Sequence, residues 1–156
     1  MIFVTLGTQK QQFKRLLQYI EESNINEEII VQNGNTKFET KKMKLIGFVS
    51  YDEMDNYLKE ASYVISHGGI SVIDALKHNK KVISCPRDKK YKEHINNHQY
   101  EMNEFLSKSK YLLSCTTKEE FNKCINKIDK FSPKKWNNNK ILLIKTLDKT
   151  INDYLK

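Results

Sequence analysis

Residues 63–85 read YVISHGGISVIDALKHNKKVISC and contain the pattern that decides the fold. Tyr63–Ser66 and Lys81–Cys85 are short apolar runs of the length expected for buried strands. Between them, apolar residues from Val72 to Leu76 recur at helical spacing. A strand, a helix and a second strand in this order predict a β-α-β unit, in which the two strands run parallel.

The same alternation extends along the rest of the chain and predicts the α/β class. Further strands are predicted at Ile2–Leu6, Glu28–Gln32, Lys44–Val49 and Tyr111–Ser114. Helices are predicted around residues 13–20, from Ser50 to Glu60, and over residues 98–107 and 118–128. Repeated β-α units predict a doubly wound parallel sheet with helices on both faces. We expect one domain over residues 1–156, in which residues 136–156 form a closing helix.

Composition and charge narrow the classes of protein. The formal net charge is +8, but the lysines are spread over many loops and helix ends, and no nucleic-acid-binding module is recognisable. We therefore predict no nucleic-acid partner. The three cysteines form no Cys-x-x-Cys pair, which argues against a disulfide framework and a structural zinc site. No apolar run is long enough to span a bilayer, and the amino terminus lacks the features of a signal peptide.

Glycine-bearing turns follow the first and fourth predicted strands. Gly7-Thr8 lies between a strand and a helix, and the segment from Ser66 to Gly69 does so again. Ligands of open α/β sheets bind at the carboxyl ends of the strands, and glycines let backbone N–H groups approach an anion at a helix start. His67 is a candidate hydrogen-bond donor to a diphosphate, to which Ser71 adds a hydroxyl. Asp74 is a candidate for the ribose hydroxyls, as in dinucleotide sites.

A polar stretch follows the fifth predicted strand, from Pro86 to Gln99. Arg87 suits a phosphate, and the amide of Gln99 suits sugar hydroxyls. Each of these features also has an ordinary structural interpretation. Gly7-Thr8 fits a tight turn, His67 a packed core histidine, Asp74 an acid near a helix start and the polar stretch a solvated loop.

In order along the chain, these motifs resemble a known family. His-Gly-Gly at residues 67–69, the acid at Asp74, Pro-Arg at 86–87, Tyr-Lys-Glu-His at 91–94 and Asn-His-Gln at 97–99 resemble the carboxyl-terminal, donor-binding half of GT-B glycosyltransferases. Within this group, the chain resembles the PssE-type subunits of bacterial capsule and exopolysaccharide synthesis. It also resembles the soluble subunit of the dolichol-linked N-acetylglucosaminyltransferase and, more distantly, family 28 enzymes of the MurG type.

The resemblance implies a Rossmann-like fold that is a single GT-B half. It implies that the diphosphate is surrounded by Gly7, Thr8, His67, Gly68, Gly69, Ser71 and Arg87. It implies that Asp74 binds the ribose, and that the donor sugar is contacted by Glu93, His98 and Gln99. Relatives usually carry one more small residue between the glycine pair and the acid, so this loop is one residue shorter than the family pattern.

The resemblance also implies an activity and partners. We expect an inverting transfer of a hexose-type sugar from a UDP-sugar to a polyprenyl-diphosphate-linked saccharide, without a metal or other cofactor. A membrane-anchored, PssD-like subunit is expected to supply the acceptor lobe and the catalytic base, and to hold the chain at the inner face of the plasma membrane. Asp52 and Asp55 are candidate bases by residue type only, and helix-start acids are the commoner interpretation. The alternative is a nucleotide-sugar-binding module without catalysis.

Overall fold

The structure is a computed structural model that describes residues 1–137. The strands are β1 (Ile2–Thr5), β2 (Ile29–Gln32), β3 (Met43–Leu45), β4 (Val64–Ser66), β5 (Val82–Ser84) and β6 (Leu113–Ser114). The helices are α1 (Lys14–Glu21), α2 (Tyr51–Glu60), α3 (Ile70–Lys77), α4 (His98–Lys108) and α5 (Lys118–Ile128). A single 3-10 turn, Lys89–Tyr91, interrupts the loop before α4.

Within the described residues, the strands form one parallel sheet in the order β3-β2-β1-β4-β5-β6. The predicted α/β class and the parallel sheet are therefore confirmed. The predicted third strand is too long, because the structure ends it at Leu45 and Gly47 adopts a positive φ of 72°. A backbone in that region cannot continue a strand.

The sheet separates two apolar cores, as expected when helices cover both faces. Alternate residues of β1 go to opposite sides, so that Ile2 and Val4 join one core and Phe3 joins the other. The helices reach these cores through apolar faces, such as Leu16, Leu17 and Ile20 of α1. The sheet is thus buried on both faces, and the polar groups of the loops lie at the ends of its strands.

Two helices begin with the reciprocal hydrogen bonds of a capping box. The Ser50 hydroxyl accepts from the backbone of Glu53, whose carboxylate accepts from the Ser50 backbone, as predicted. Thr117 and Glu120 form the same arrangement at α5. Asp52 is therefore one of the acids that face the positive end of the α2 dipole.

The closing helix predicted over residues 136–156 lies, apart from its first two residues, outside the described part of the chain. Trp136 is not helical, and its ring packs edge-on against Tyr111 at a centroid distance of 5.3 Å. In the described residues, no helix is long and apolar enough to cross a membrane.

Candidate functional site

A cleft opens where the winding direction of the sheet reverses. β1 and β4 are neighbours, and from them the chain proceeds outward to β3 on one side and to β6 on the other. The loops after β1 and β4 therefore diverge and leave a crevice at the carboxyl ends of these strands. Its volume is about 490 Å³. The cleft is lined by Thr5, Gly7, Thr8, Gln9, Gln32, Phe48, Val49, Ser50, Tyr51, Met54, His67, Gly69, Ile70, Ser71, Asp74 and Gln99.

Two glycines enclose the imidazole of His67 at the floor of the cleft. A Cβ atom added to Gly7 would lie 2.7 Å from Nε2 of His67, and one added to Gly69 would overlap the same atom. Real Cβ atoms do not approach other atoms so closely, so both positions require glycine for steric reasons. Residues 66–71 are here called the glycine loop. This loop and the turn at Gly7 therefore meet at the His67 ring.

The environment of His67 keeps its ring neutral at pH 7. The side chain is buried, and burial together with the charge of Arg87 lowers its pKa to about 4. Nδ1 lies 3.2 Å from the carbonyl oxygen of Thr5, which can only accept, so Nδ1 carries the proton. Nε2 is then an acceptor. His67 can donate to a diphosphate oxygen only after it takes up a second proton, which a nearby anion favours.

Gln32 holds the turn at Gly7 and was missed by sequence reasoning. Its buried amide oxygen accepts from the Gly7 N–H at 3.2 Å and from the Thr5 hydroxyl at 2.8 Å. Its amide nitrogen donates to the Gly7 carbonyl at 3.1 Å. A polar residue at the end of an otherwise apolar strand was the available signal.

The first turn of α3 faces the cleft. Its N-cap is Gly69, which has no side chain to cap the first N–H groups. Ser71 lines the cleft but is largely buried, and its hydroxyl lies 2.9 Å from that of Ser66. Asp74 also lines the cleft and forms an ion pair with Lys77 at 3.2 Å. Uncapped N–H groups at a helix start are suited to an anion, and they lie here beside His67.

The loop from Pro86 to Gln99, here called the polar loop, turns two of the predicted binding residues away from the cleft. Arg87 and Glu93 do not line the cleft, because both side chains turn into the protein interior. The guanidinium of Arg87 bonds the carbonyl of Leu6 at 2.7 Å and two further carbonyls. Glu93 forms a two-pronged ion pair with Arg15, at 2.8 and 2.9 Å. Neither side chain is placed to touch a diphosphate or a sugar in the cleft.

The two remaining residues expected to bind the sugar lie at the start of α4. Gln99 lines the cleft, and its amide oxygen accepts from the Arg87 backbone at 3.1 Å. His98 is the first residue of α4, and its N–H bonds the Asn96 side chain. His98 does not line this cleft. The structure therefore brings Gln99 to Gly7, Thr8, His67, Gly69, Ser71 and Asp74, and leaves Arg87, Glu93 and His98 outside that group.

Gly68 shapes the glycine loop but does not line the cleft. It has a positive φ of 91°, and a Cβ at this position would overlap the amide of Asn103 in α4. The glycine thus lets the loop pass close to α4, which also carries Gln99. Asp55, a candidate base by residue type, is held by Lys59 and His78 and does not line the cleft.

Part of the cleft lining is apolar and exposed. Phe48, Tyr51 and Ile70 have 58%, 78% and 68% of their surface accessible, which is unusual for residues of this size. The cleft therefore offers backbone N–H groups and an imidazole together with aromatic and aliphatic surface. Within residues 1–137, no three His, Cys, Asp or Glu side chains are grouped closely enough to hold a metal ion.

This fold and cleft define a class of protein, the α/β domains that bind ligands where the order of parallel strands reverses. Sequence comparison identifies the family. The model of the glycosyltransferase family 28 C-terminal domain matches residues 1–153. The chain belongs to this family, and its Rossmann-like sheet is the carboxyl-terminal lobe of the GT-B architecture.

A solved structure agrees on the fold. The crystal structure of the glycosyltransferase SnogD from Streptomyces nogalater is similar, with a TM-score of 0.57 and 14% sequence identity. The similarity covers 81% of this chain but 34% of the SnogD chain. This chain thus spans about a third of that glycosyltransferase. A comparison with curated proteins finds no match.

Proposed function

We propose that this chain is the donor-binding subunit of a two-component inverting glycosyltransferase. It transfers a hexose-type sugar from a UDP-sugar to a polyprenyl-diphosphate-linked saccharide in capsule or exopolysaccharide synthesis. The observation that carries the proposal is the cleft in which His67, Gly7 and the uncapped start of α3 converge. Family membership supports the transfer of a sugar.

The polar and the apolar parts of the cleft suit the two parts of a nucleoside diphosphate. The N–H groups at the start of α3 would receive the diphosphate, as helix starts do in other nucleotide sites. Asp74 lies further along the same helix and would accept hydrogen bonds from the ribose hydroxyls. Phe48 and Tyr51 would then contact the base, because their exposed rings line the remaining wall.

Gln99 is proposed to contact the donor sugar. Its amide oxygen accepts from the Arg87 backbone, which orients the side chain and leaves the amide N–H groups as donors for sugar hydroxyls. The leaving UDP would be stabilised by fixed N–H groups and by His67 as it gains a proton, which is electrostatic stabilisation of developing charge.

The acceptor and the catalytic base are proposed to come from a membrane-anchored partner subunit. Among the described residues that line the cleft, Asp74 is the single carboxylate, and it is proposed to bind the ribose. An inverting transfer still requires a group to take the proton of the acceptor. A second polypeptide would supply that group and place the active site at the inner face of the plasma membrane.

The test combines binding and transfer. UDP affinity of the purified chain is measured by titration calorimetry for the wild type, His67→Ala and Gln99→Ala, with His78→Ala as a histidine control outside the cleft. His67→Ala should weaken UDP binding about tenfold, equivalent to roughly 1.4 kcal/mol, because it removes the imidazole that packs between Gly7 and Gly69 and so disturbs both segments at the proposed diphosphate site. His78→Ala should bind as the wild type does, since His78 contacts Asp55 instead. Gln99→Ala should keep UDP affinity and lose transfer.

Transfer is measured with membranes containing the co-expressed partner and a panel of UDP-galactose, UDP-glucuronic acid and UDP-N-acetylglucosamine. Transfer of one sugar, lost in His67→Ala, supports the proposal. UDP binding with no transfer from any donor would instead favour a nucleotide-sugar-binding module. UDP affinity that is the same in His67→Ala and the wild type would refute the proposed site.

A further inference from the structure

Arg87 is a buried cation whose hydrogen bonds go to neutral groups. Its side chain is 1% exposed. Nη1 donates to the carbonyls of Gln11 and Glu93 at 2.8 and 3.0 Å, and Nη2 donates to Leu6 at 2.7 Å. Within the described residues, Nε has no partner and the guanidinium forms no ion pair. Burying a charge in this way is unfavourable, and it lowers the pKa of Arg87 to about 10.

The nearest carboxylate is already occupied. Glu93 takes two hydrogen bonds from Arg15 and one from the Asp88 backbone at 3.0 Å. Asp88 itself accepts from the Tyr100 hydroxyl and from the Lys90 backbone. The interior therefore pairs Arg15 with a carboxylate but gives Arg87 hydrogen bonds to carbonyl groups alone, and the charge of Glu93 acts on Arg87 without a hydrogen bond.

The guanidinium contacts the connection between β1 and α1, which lines the cleft. Leu6 immediately precedes Gly7, and Gln11 belongs to the same connection between β1 and α1. Arg87 thus binds carbonyl groups of the loop whose residues Gly7, Thr8 and Gln9 line the cleft. The positive charge of Arg87 acts on groups in the cleft, because it is one of the causes that hold the pKa of His67 low.

We propose that Arg87 is a positioning residue whose buried charge attracts the diphosphate of the donor through the Gly7 loop, without touching it. The inference rests on the proposed function, since it takes the diphosphate to lie in the cleft. A buried charge such as that of Arg87 is screened less by salt than surface lysines are. It also remains in place when the donor leaves, so no side chain has to reorganise for each turnover.

The experiment compares UDP with uridine, which lacks the phosphates. Arg87→Met removes the charge and keeps a long side chain that can pack on Phe13, whose ring now lies 4.9 Å from the guanidinium carbon. Arg87→Lys keeps the charge and serves as the matched control. In Arg87→Met we expect UDP affinity to fall about tenfold, equivalent to roughly 1.4 kcal/mol, and uridine affinity to stay unchanged. Arg87→Lys should retain most of the preference for UDP.

An NMR titration of His67 supplies a second measurement that a purely structural role would not change. Its pKa should rise in Arg87→Met, because a nearby positive charge is removed, and stay low in Arg87→Lys. Arg87→Gln, which can still donate to a carbonyl, is the second charge-free variant if Arg87→Met does not fold.

The outcomes separate the two proposals. If the wild type binds UDP no better than uridine, the proposed function itself fails. If the wild type prefers UDP and a folded charge-free variant keeps that preference, the inference about Arg87 alone is wrong. It is equally wrong if both ligands are lost together, or if neither charge-free variant folds, since Arg87 would then serve only to hold the loop.

Discussion

The glycine loop and the polar loop use polar chemistry in opposite ways. The glycine loop has no Lys, Arg, Asp or Glu side chain, yet it presents the helix start and His67 to the cleft. The polar loop is rich in charged side chains, yet Arg87 and Glu93 turn inward and bind other parts of the protein. The charged side chains of the polar loop thus stabilise the interior, whereas the glycine loop leaves the start of α3 open to the cleft.

The largest expected effect is in the polar loop. Glu93→Ala should lower the free energy of unfolding by about 3–5 kcal/mol, because it leaves the largely buried guanidinium of Arg15 without its partner. Urea denaturation measures this change. Lys89→Ala, an exposed position of the same loop, should shift the stability by no more than about 0.5 kcal/mol. A Glu93→Ala protein as stable as Lys89→Ala but inactive would show instead that Glu93 binds the substrate.

The next effect is in the glycine loop. Gly68→Ala should cost about 2–4 kcal/mol, because the new methyl group meets Asn103 and the positive φ of 91° becomes strained. Gly47→Ala is the matched control, since Gly47 has a φ of 72° and nothing within 4 Å of the added Cβ. It should cost only about 1 kcal/mol from backbone strain. Equal losses in thermal or urea unfolding would mean that the contact with α4 is unimportant.

A smaller effect on stability is expected at His67, and it depends on pH, unlike the loss of an ion pair in the polar loop. The pKa of His67 in the folded protein, about 4, lies below the ordinary value of 6.5. Between these two pH values, only the unfolded state takes up a proton at His67. The stability contributed by neutral His67 is full above pH 6.5 and is lost as the pH falls toward 4. The loss is at most about 3.5 kcal/mol, at roughly 1.4 kcal/mol per pKa unit.

Urea denaturation between pH 4 and pH 7.5 measures this loss, with His67→Asn as the reference. Carboxylates elsewhere titrate in both proteins, so the difference between the two profiles isolates the histidine. Parallel profiles would mean that His67 titrates normally in the folded protein.

Much of the fold could be predicted because strands buried on both faces are short continuous apolar runs. The β-α-β unit at residues 63–85 and the capping box at Ser50 are examples, since both depend on neighbouring residues. The end of β3 could not be predicted, because the apolar run continues through Gly47 and only the backbone geometry ends the strand.

The site was predicted less evenly. His67, Gly69, Asp74 and Gln99 line the cleft, in agreement with the motifs that selected them. Their binding roles remain predictions. The direction of Arg87 and Glu93 was not predictable, because a charged loop residue is compatible with a ligand and with a buried ion pair. Gln32 was missed because its contact with Gly7 spans 25 residues of sequence.

The sequence by itself determined the alternation of strands and helices and the glycine positions at the strand ends. Those features follow from local periodicity and from the absence of a Cβ atom. The tertiary structure alone decided which polar groups face the cleft, because that depends on partners far along the chain. Arg15 binds Glu93 across 78 residues, and Arg87 binds Leu6 across 81 residues, so neither Glu93 nor Arg87 lines the cleft.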